Sequence, residues 1–252
     1  MWFMKKTWIT SAHQGFVRGG IRSNTALAVR FAIEAGAEMI ETDARTSADG
    51  VIVANHNETV VGTDENGNRV EKKISETSFA ELRGIILSDT PEYGVQRIAT
   101  LEELFRLTHD GGIGINVDLK EGFSCAEKIA RMAVKAGMGG KTVYAPNGSG
   151  LKTIFAVLAV DPEARFIDTP YNFNAEKLEE YADYRTRCFA YTSDFSPENI
   201  AAIRQSGCLL AAIGLNAENA PTALSLSPDM AEYPHESDFA AIERAFFSKA
   251  DG

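Results

Sequence analysis

Short apolar runs rich in β-branched residues alternate along the chain with segments in which apolar residues recur every three or four positions. This alternation is typical of parallel strands joined by crossover helices, and it predicts an α/β fold. Seven strands are predicted, at residues 7–12, 38–43, 112–119, 142–145, 164–167, 187–191 and 209–215.

Two of the predicted helices have recognisable starts. Ser196 followed by Pro197 is an N-cap with proline at the first helical position, and Gly207 closes that helix. A last helix is predicted from Ser237, because apolar residues follow it at helical spacing. The chain shows no internal repeat that would indicate a solenoid.

The alternation is interrupted once, within residues 57–111, by a polar turn and short helical pieces. Just before it, residues 44–56 read as a hairpin that turns at Asp49-Gly50. The returning strand brings His56 back towards Glu41. Residues 57–111 are therefore interpreted as an insertion that caps one mouth of a barrel.

Length and charge narrow the class of protein. A chain of 252 residues suits one α/β barrel domain spanning residues 1–252. The formal net charge of −10 argues against a nucleic-acid partner, because phosphate-binding surfaces carry clustered Lys and Arg. The three cysteines lack metal-ligand spacing, and no apolar run is long enough to span a membrane. We expect a soluble, cytoplasmic protein.

Polar residues sit where two predicted strands end. Residues two apart on a strand point to the same side, so Glu41 and Asp43 share one face, and Asn116, Asp118 and Lys120 share another. The carboxyl ends of barrel strands meet at one mouth, so these groups should converge. Buried like charges need a cation, and hard oxygen ligands suit Mg²⁺ or Ca²⁺. Glu41, Asp43 and Asp118 are the predicted metal ligands.

Each of these motifs alone has a simpler explanation. A Glu-x-Asp at a strand end is commonly a solvated edge or a salt bridge, here with Arg45 or Lys120. His13 and His56 could be hydrogen-bonded residues of a strand end and a hairpin. Their joint occurrence, in order and at matching strand ends, favours a functional site.

The same residues carry a resemblance to a known family. The ordered motifs "AHQG", "SNT", "ETD", "ADG" followed by "VIVANHN", "TLEELF" and "INVDLK" resemble the glycerophosphodiester phosphodiesterase family. The match is close over residues 8–120 and weaker beyond, where it rests on "TVYAPN", on "IGLN" in place of Trp-Thr-Val-Asn, and on the final "ADG". The resemblance implies a TIM (β/α)8-like barrel with a small inserted cap.

The resemblance also implies roles for individual residues. His13 and His56 would be the acid and the base, and Glu41, Asp43 and Asp118 would hold a divalent cation. Lys120 would contact the substrate phosphate. Two imidazoles suit proton transfer to and from phosphodiester oxygens at neutral pH, which agrees with this assignment.

The sequence departs from the family pattern at the site. Gln14 stands where relatives have an Arg that grips the phosphate, so a neutral donor replaces a charged one. Asn57 follows His56 where an Asp is usual. Asp118 replaces a Glu, which should preserve metal binding.

The C-terminus departs as well. In relatives "ADG" is followed by the eighth barrel strand, whereas this chain stops at Gly252. We therefore expect that the eighth strand is missing at the C-terminus and that apolar core is exposed beside the first strand.

Together these observations predict metal-dependent hydrolysis of a glycerophosphodiester to an alcohol and glycerol 3-phosphate. One alternative is a phospholipase D-like phosphodiesterase that releases a cyclic phosphate. Another is a catalytically weak protein that binds phosphorylated polyols. The expected partner is a small phosphodiester substrate, with oligomerisation left open.

Overall fold

The structure is a computed structural model, and it describes residues 6–17, 19–147, 150–168, 186–235, 239 and 241–242. The strands are β1 (Ile9–Val17), β2 (Met39–Thr46), β3 (Ile52–Ala54), β4 (Thr59–Thr63), β5 (Arg69–Lys73), β6 (Ser88–Thr90), β7 (Gly94–Gln96), β8 (Gly114–Leu119), β9 (Thr142–Ala145), β10 (Arg165–Asp168), β11 (Cys188–Thr192), β12 (Leu209–Ala212) and β13 (Met230–His235). The helices are α1 (Ala26–Glu34), α2 (Phe79–Gly84), α3 (Leu101–Asp110), α4 (Phe123–Lys135), α5 (Gly150–Leu158), α6 (Pro197–Ser206) and α7 (Ala220–Ser225).

Eight parallel strands form a closed barrel. They follow the order β1, β2, β8, β9, β10, β11, β12 and β13, and β13 pairs with β1 to complete the ring. Ser11 of β1 lies opposite Glu232 of β13 on one side, and it lies opposite Met39 of β2 on the other. The fold is therefore the predicted TIM-like barrel.

The prediction of a missing eighth strand is wrong. Strand β13 is the eighth barrel strand, and it lies well before the "ADG" at the C-terminus. Its sequence "MAEYPH" lacks the usual apolar strand pattern, because it places Glu232 on the inner face and a proline near its end. The pattern of apolar residues therefore did not predict this strand. The predicted exposed seam beside β1 is also wrong, since Phe16 and Tyr233 are fully buried there.

The seven predicted strands are confirmed, with shifts of a few residues at their ends. The predicted N-cap of α6 is present, because the Ser196 side chain accepts a hydrogen bond from the backbone N–H of Asn199. Gly207 ends this helix in the left-handed conformation, with φ of 78°. The predicted start of the last helix, Ser237, lies outside the described residues.

The barrel interior is apolar at the bottom and polar at the top. Met39, Val143, Phe189, Ala211 and Met230 pack together inside the ring. A larger cluster of buried apolar residues lies between the strands and the surrounding helices. The apolar interior supports the strand ends above it, where the polar residues lie.

The predicted hairpin before the insertion is confirmed. Strands β2 and β3 pair antiparallel, with Ala44 opposite Ala54 and Thr46 opposite Ile52. Two more antiparallel pairs, β4 with β5 and β6 with β7, lie in the segment predicted to be the cap. Helix α3, at the end of that segment, contacts α1 and β8 of the barrel. The limits of the cap stay a prediction.

None of the helices that the structure describes is long and apolar enough to cross a bilayer.

Gly15, near the end of β1, packs closely against α1. Its φ is +71°, and a Cβ at this position would lie 2.7 Å from the backbone carbonyl carbon of Ala28 in α1. We expect Gly15→Ala to lower the free energy of unfolding by roughly 2–4 kcal/mol, since it adds a steric clash to the strain of a left-handed alanine.

Gly36→Ala is the matched control for this prediction. Its φ is +89°, but a Cβ there meets no atom within 4 Å, so only the backbone strain should remain. Urea denaturation of both variants measures the difference. Equal losses of stability would contradict the predicted clash.

Candidate active site

A cavity of about 300 Å³ opens at the carboxyl ends of the barrel strands. This is the end of a parallel barrel where active sites are found. Its lining is mostly polar and comes from most of the barrel strands and from the hairpin. The lining residues are His13, Glu41, Asp43, His56, Asn116, Asp118, Lys120, Ala145, Asn147, Ile167, Asp168, Tyr191, Ile213 and Glu232.

Three carboxylates converge in this cavity as predicted. Glu41, Asp43 and Asp118 each offer one oxygen within 4.8 Å of the others. Glu41 and Asp43 are buried, and Asp118 has a buried oxygen, Oδ1, with no hydrogen-bond partner among the described residues. Three hard oxygen donors, one of them unsatisfied, fit a divalent cation such as Mg²⁺ or Ca²⁺.

Lys120 lies between two of these carboxylates. Its Nζ is 2.8 Å from Oδ1 of Asp43 and 2.7 Å from Oδ2 of Asp118, and its side chain is 13% exposed. These two hydrogen bonds raise the pKa of Lys120, although its burial acts in the opposite direction. The lysine is therefore a fixed positive charge at the cavity wall.

The end of β1 and the loop after it hold Asp43 in place. Oδ2 of Asp43 accepts hydrogen bonds of 2.7 Å from the side-chain amides of both Gln14, in β1, and Asn24, in the loop. Asn24 also accepts from the backbone N–H of Asp43 and from the hydroxyl of Thr42. Gln14 and Asn24 both have a positive φ, at 56° and 57°, so the loop has a tightly constrained shape.

The two histidines lie at the rim of the cavity. Nε2 of His13 is 3.8 Å from Oε2 of Glu41. His56 is exposed, and Arg45 donates two hydrogen bonds to its carbonyl oxygen. Nδ1 of His56 lies 3.2 Å from Oδ1 of Asn57, so an amide contacts this imidazole where relatives carry a carboxylate.

Burial and mutual repulsion disturb the ionisation of the acidic residues. Burial raises the pKa of Glu41 well above its usual range, and the charges of Asp43, Glu232 and Asp118 add to this effect. Burial likewise raises the pKa of Asp118, although Lys120 opposes it. Such clustered shifts are typical of functional sites.

Glu232 is a site residue that the sequence analysis missed. It is 7% exposed, it lines the cavity from β13, and burial raises its pKa to about 7 with help from the charge of Asp43. The sequence analysis expected the eighth strand to be missing, so it predicted no inward-facing residue from that strand.

The opposite wall of the cavity was also missed. It consists of Ile167, Tyr191 and Ile213, which come from β10, β11 and the end of β12. Single apolar or aromatic residues in a strand carry no signal that separates a cavity wall from core. Only the closed ring shows that they face the acidic side.

Fold and site together define a TIM barrel whose mouth could hold a divalent cation. Residues 13–136 match the family model described as "Glycerophosphoryl diester phosphodiesterase family". A glycerophosphodiester phosphodiesterase from Caldanaerobacter subterraneus subsp. tengcongensis is 32% identical over 126 residues, which cover 50% of this chain and 50% of that protein. The matched region thus spans about half the length of this relative.

Solved structures agree with the fold over nearly the whole chain. The glycerophosphodiester phosphodiesterase from Agrobacterium tumefaciens superposes with a TM-score of 0.73 at 19% identity, covering 93% of this chain and 99% of that one. A phosphodiesterase from Oleispira antarctica, in complex with the product sn-glycerol-3-phosphate, superposes with a TM-score of 0.71 at 20% identity, covering 93% and 96%. Residues 13–136 therefore carry the sequence match to the glycerophosphodiester phosphodiesterase family, and the barrel fold agrees with it.

The buried Glu232 predicts a pH dependence of stability in the metal-free protein. Its pKa rises from an unfolded value of 4.5 to about 7 in the fold, so the folded state favours the protonated carboxyl. This contribution to stability is fully present below pH 4.5 and is lost as the pH rises through 7. The total loss should be at most on the order of 3 kcal/mol.

The test compares wild type with Glu232→Gln, which keeps the shape and removes the titration. Urea unfolding of both, with EDTA present, gives the stability difference at pH 4, 6 and 8. The free energy of unfolding of Glu232→Gln should rise relative to that of wild type as the pH rises. A difference independent of pH would mean that Glu232 keeps an ordinary pKa.

Proposed function

We propose that this protein hydrolyses a glycerophosphodiester to an alcohol and glycerol 3-phosphate. The observation that carries the proposal is one cavity that brings together two histidines, three clustered carboxylates and a lysine. The family match and the names of the relatives point to the same reaction. The catalytic domain is proposed to span residues 1–252, with the cap at about 57–111, in a cytoplasmic protein.

Glu41, Asp43 and Asp118 are the proposed ligands of a divalent cation, Mg²⁺ or Ca²⁺. When bound, such a cation offsets charge that develops on phosphoryl oxygens during the reaction. Asn24 orients Asp43 for this role, because it fixes both the backbone and one carboxylate oxygen of that residue.

His13 and His56 are the proposed acid and base. Cleavage needs one proton taken from the attacking hydroxyl and another given to the leaving alkoxide. Nε2 of His13 lies 3.8 Å from Oε2 of Glu41, and Arg45 fixes the backbone that carries His56. His56 is proposed as the acid.

Lys120 and Gln14 are the proposed phosphate-binding residues. Lys120 already neutralises part of the acidic cluster, and it lines the cavity where the phosphate would lie. In the structure Gln14 donates its side-chain amide to Asp43, a proposed metal ligand. As a phosphate-binding residue it would be a neutral donor and would supply no charge to the phosphate. Phosphorus NMR of the products separates hydrolysis to glycerol 3-phosphate from release of a cyclic phosphate.

The metal assignment predicts a shared loss of affinity and activity. Glu41→Gln and Asp118→Asn should each weaken divalent-ion binding and lower turnover by about 10²-fold or more, since each removes a charged ligand. Glu102→Gln, at an exposed position on α3, is the control. Calorimetric metal titration and phosphodiester turnover measure both effects. Full activity after EDTA treatment, with metal removal verified, would contradict the assignment.

The histidine assignment predicts a dependence on the leaving group. His13→Ala and His56→Ala should each lose about 10²- to 10⁴-fold turnover of a glycerophosphodiester while still binding metal. The variant of the acid should recover far more activity on a nitrophenyl phosphodiester, whose leaving group needs no proton.

His109→Ala is the control for the histidine variants, because His109 is an exposed histidine on α3. It should retain the activity of wild type. Equal losses for His13→Ala and His56→Ala on both substrates would show that they do not divide the roles of acid and base.

A further inference from the structure

A second polar layer, formed by Asn116 and Glu232, lies inside the barrel beside the three clustered carboxylates. Asn116 lies on β8 and Glu232 on β13, and β1 and β2 stand between these two strands in the ring. Both side chains are buried. Burying such polar groups is costly unless they find partners.

Asn116 points to a ligand at this level. It is 4% exposed, it lines the cavity, and its Oδ1 has no hydrogen-bond partner among the described residues. A donor or a cation that enters the cavity would satisfy Oδ1, and leaving a buried amide oxygen unpaired is unfavourable. Glu232 lines the same cavity from the strand on the far side of β1 and β2.

The chemistry of this layer selects for hydroxyl groups. An amide oxygen accepts hydrogen bonds, and a carboxyl group accepts them or, when protonated, also donates one. A polyol hydroxyl can do both, so it matches either state of Glu232. Glu232 does not belong to the group of carboxylates whose oxygens lie within 4.8 Å of one another, which separates this layer from the proposed metal ligands.

The spacing fits a short polyol attached to a phosphate. Asn116 precedes Asp118 by two residues on β8, so their Cα atoms are roughly 6–7 Å apart along the strand. A phosphate held near Asp118 and Lys120 would therefore place the hydroxyls of a three-carbon arm at the level of Asn116. On the opposite wall Ile167 and Ile213 offer such hydroxyls no partner, whereas Asp168 and Tyr191 line the same cavity with polar groups.

We infer that Asn116 and Glu232 form a hydroxyl-binding floor that recognises the glycerol moiety of the substrate. The glycerol end then points into the barrel, and the alcohol that leaves lies towards solvent. The inference rests on the proposed function, and it makes Asn116 and Glu232 the specificity-determining residues for the polyol half.

Ligand binding to the metal-loaded protein tests the floor directly. The probes are glycerol 3-phosphate, propyl phosphate, which lacks the hydroxyls, and phosphoethanolamine, which offers an ammonium group. Wild type should bind glycerol 3-phosphate at least tenfold more tightly than propyl phosphate. Asn116→Leu and Glu232→Met should each reduce this preference to about threefold or less, since each replaces a polar side chain with an apolar one.

Turnover provides a second reading on the same variants. The loss of kcat/KM on glycerophosphocholine should exceed the loss on methyl nitrophenyl phosphate by about tenfold in Asn116→Leu. Tyr144→Phe is the matched control, because it also removes a buried polar atom, from the neighbouring strand β9, but Tyr144 does not line the cavity. It should change neither ratio.

The outcomes separate this inference from the proposed function. If wild type prefers glycerol 3-phosphate but cleaves neither diester, the proposed hydrolysis is wrong and the hydroxyl-binding floor still stands. Equal losses on both substrates, a preference for phosphoethanolamine, or no preference for glycerol 3-phosphate in wild type would overturn the floor. Weakened metal binding in Asn116→Leu would identify Asn116 as a metal ligand and overturn it too. If Asn116→Leu does not fold, Glu232→Met, which removes the hydrogen-bonding groups at that position, decides.

Discussion

The structure depends on how the barrel accommodates negative charge at its mouth. Glu41 and Asp43 are buried within two residues of each other, and Asp118 lies on the next strand of the ring. Lys120 supplies one positive charge between two of them, and the amides of Gln14 and Asn24 satisfy Asp43. The raised pKa of Glu41 shows that this compensation is incomplete. The remaining negative charge favours a cation, and a bound cation together with Lys120 would in turn favour an anionic phosphate beside it.

The end of β1 and the loop that connects it to α1 make this arrangement possible. Gly15 lets the chain pass against Ala28, and the positive φ of Gln14 and Asn24 turns both amides towards Asp43. The first strand therefore contributes His13 to the rim and, through its loop, the hydrogen bonds that fix a carboxylate on the second strand. A short motif, "AHQG" with "SNT", encodes both the turn and the support of the site.

Sequence reasoning succeeded where chemistry and strand ends coincide. Glu41, Asp43, Asp118 and Lys120 were placed together because residues two apart on a strand share a face and all barrel strands end at one mouth. It failed at β13, whose inward Glu232 and late proline hide the strand pattern. It also could not find Ile167 or Ile213, since a cavity wall is defined by the closed ring and not by any local pattern.

Closure of the ring brings the first and the last barrel strand together at the site. The family match covers residues 13–136, and this segment carries both histidines, the three clustered carboxylates and Lys120. Glu232 comes from the last strand, and its neighbour in the ring is β1, the first. Whatever binds between Asn116 and Glu232 therefore contacts the beginning and the end of the barrel at once. The proposed metal ligands come from β2 and β8, which are neighbouring strands of the first half. The proposed recognition of the polyol therefore depends on complete closure of the ring more strongly than the proposed metal site does.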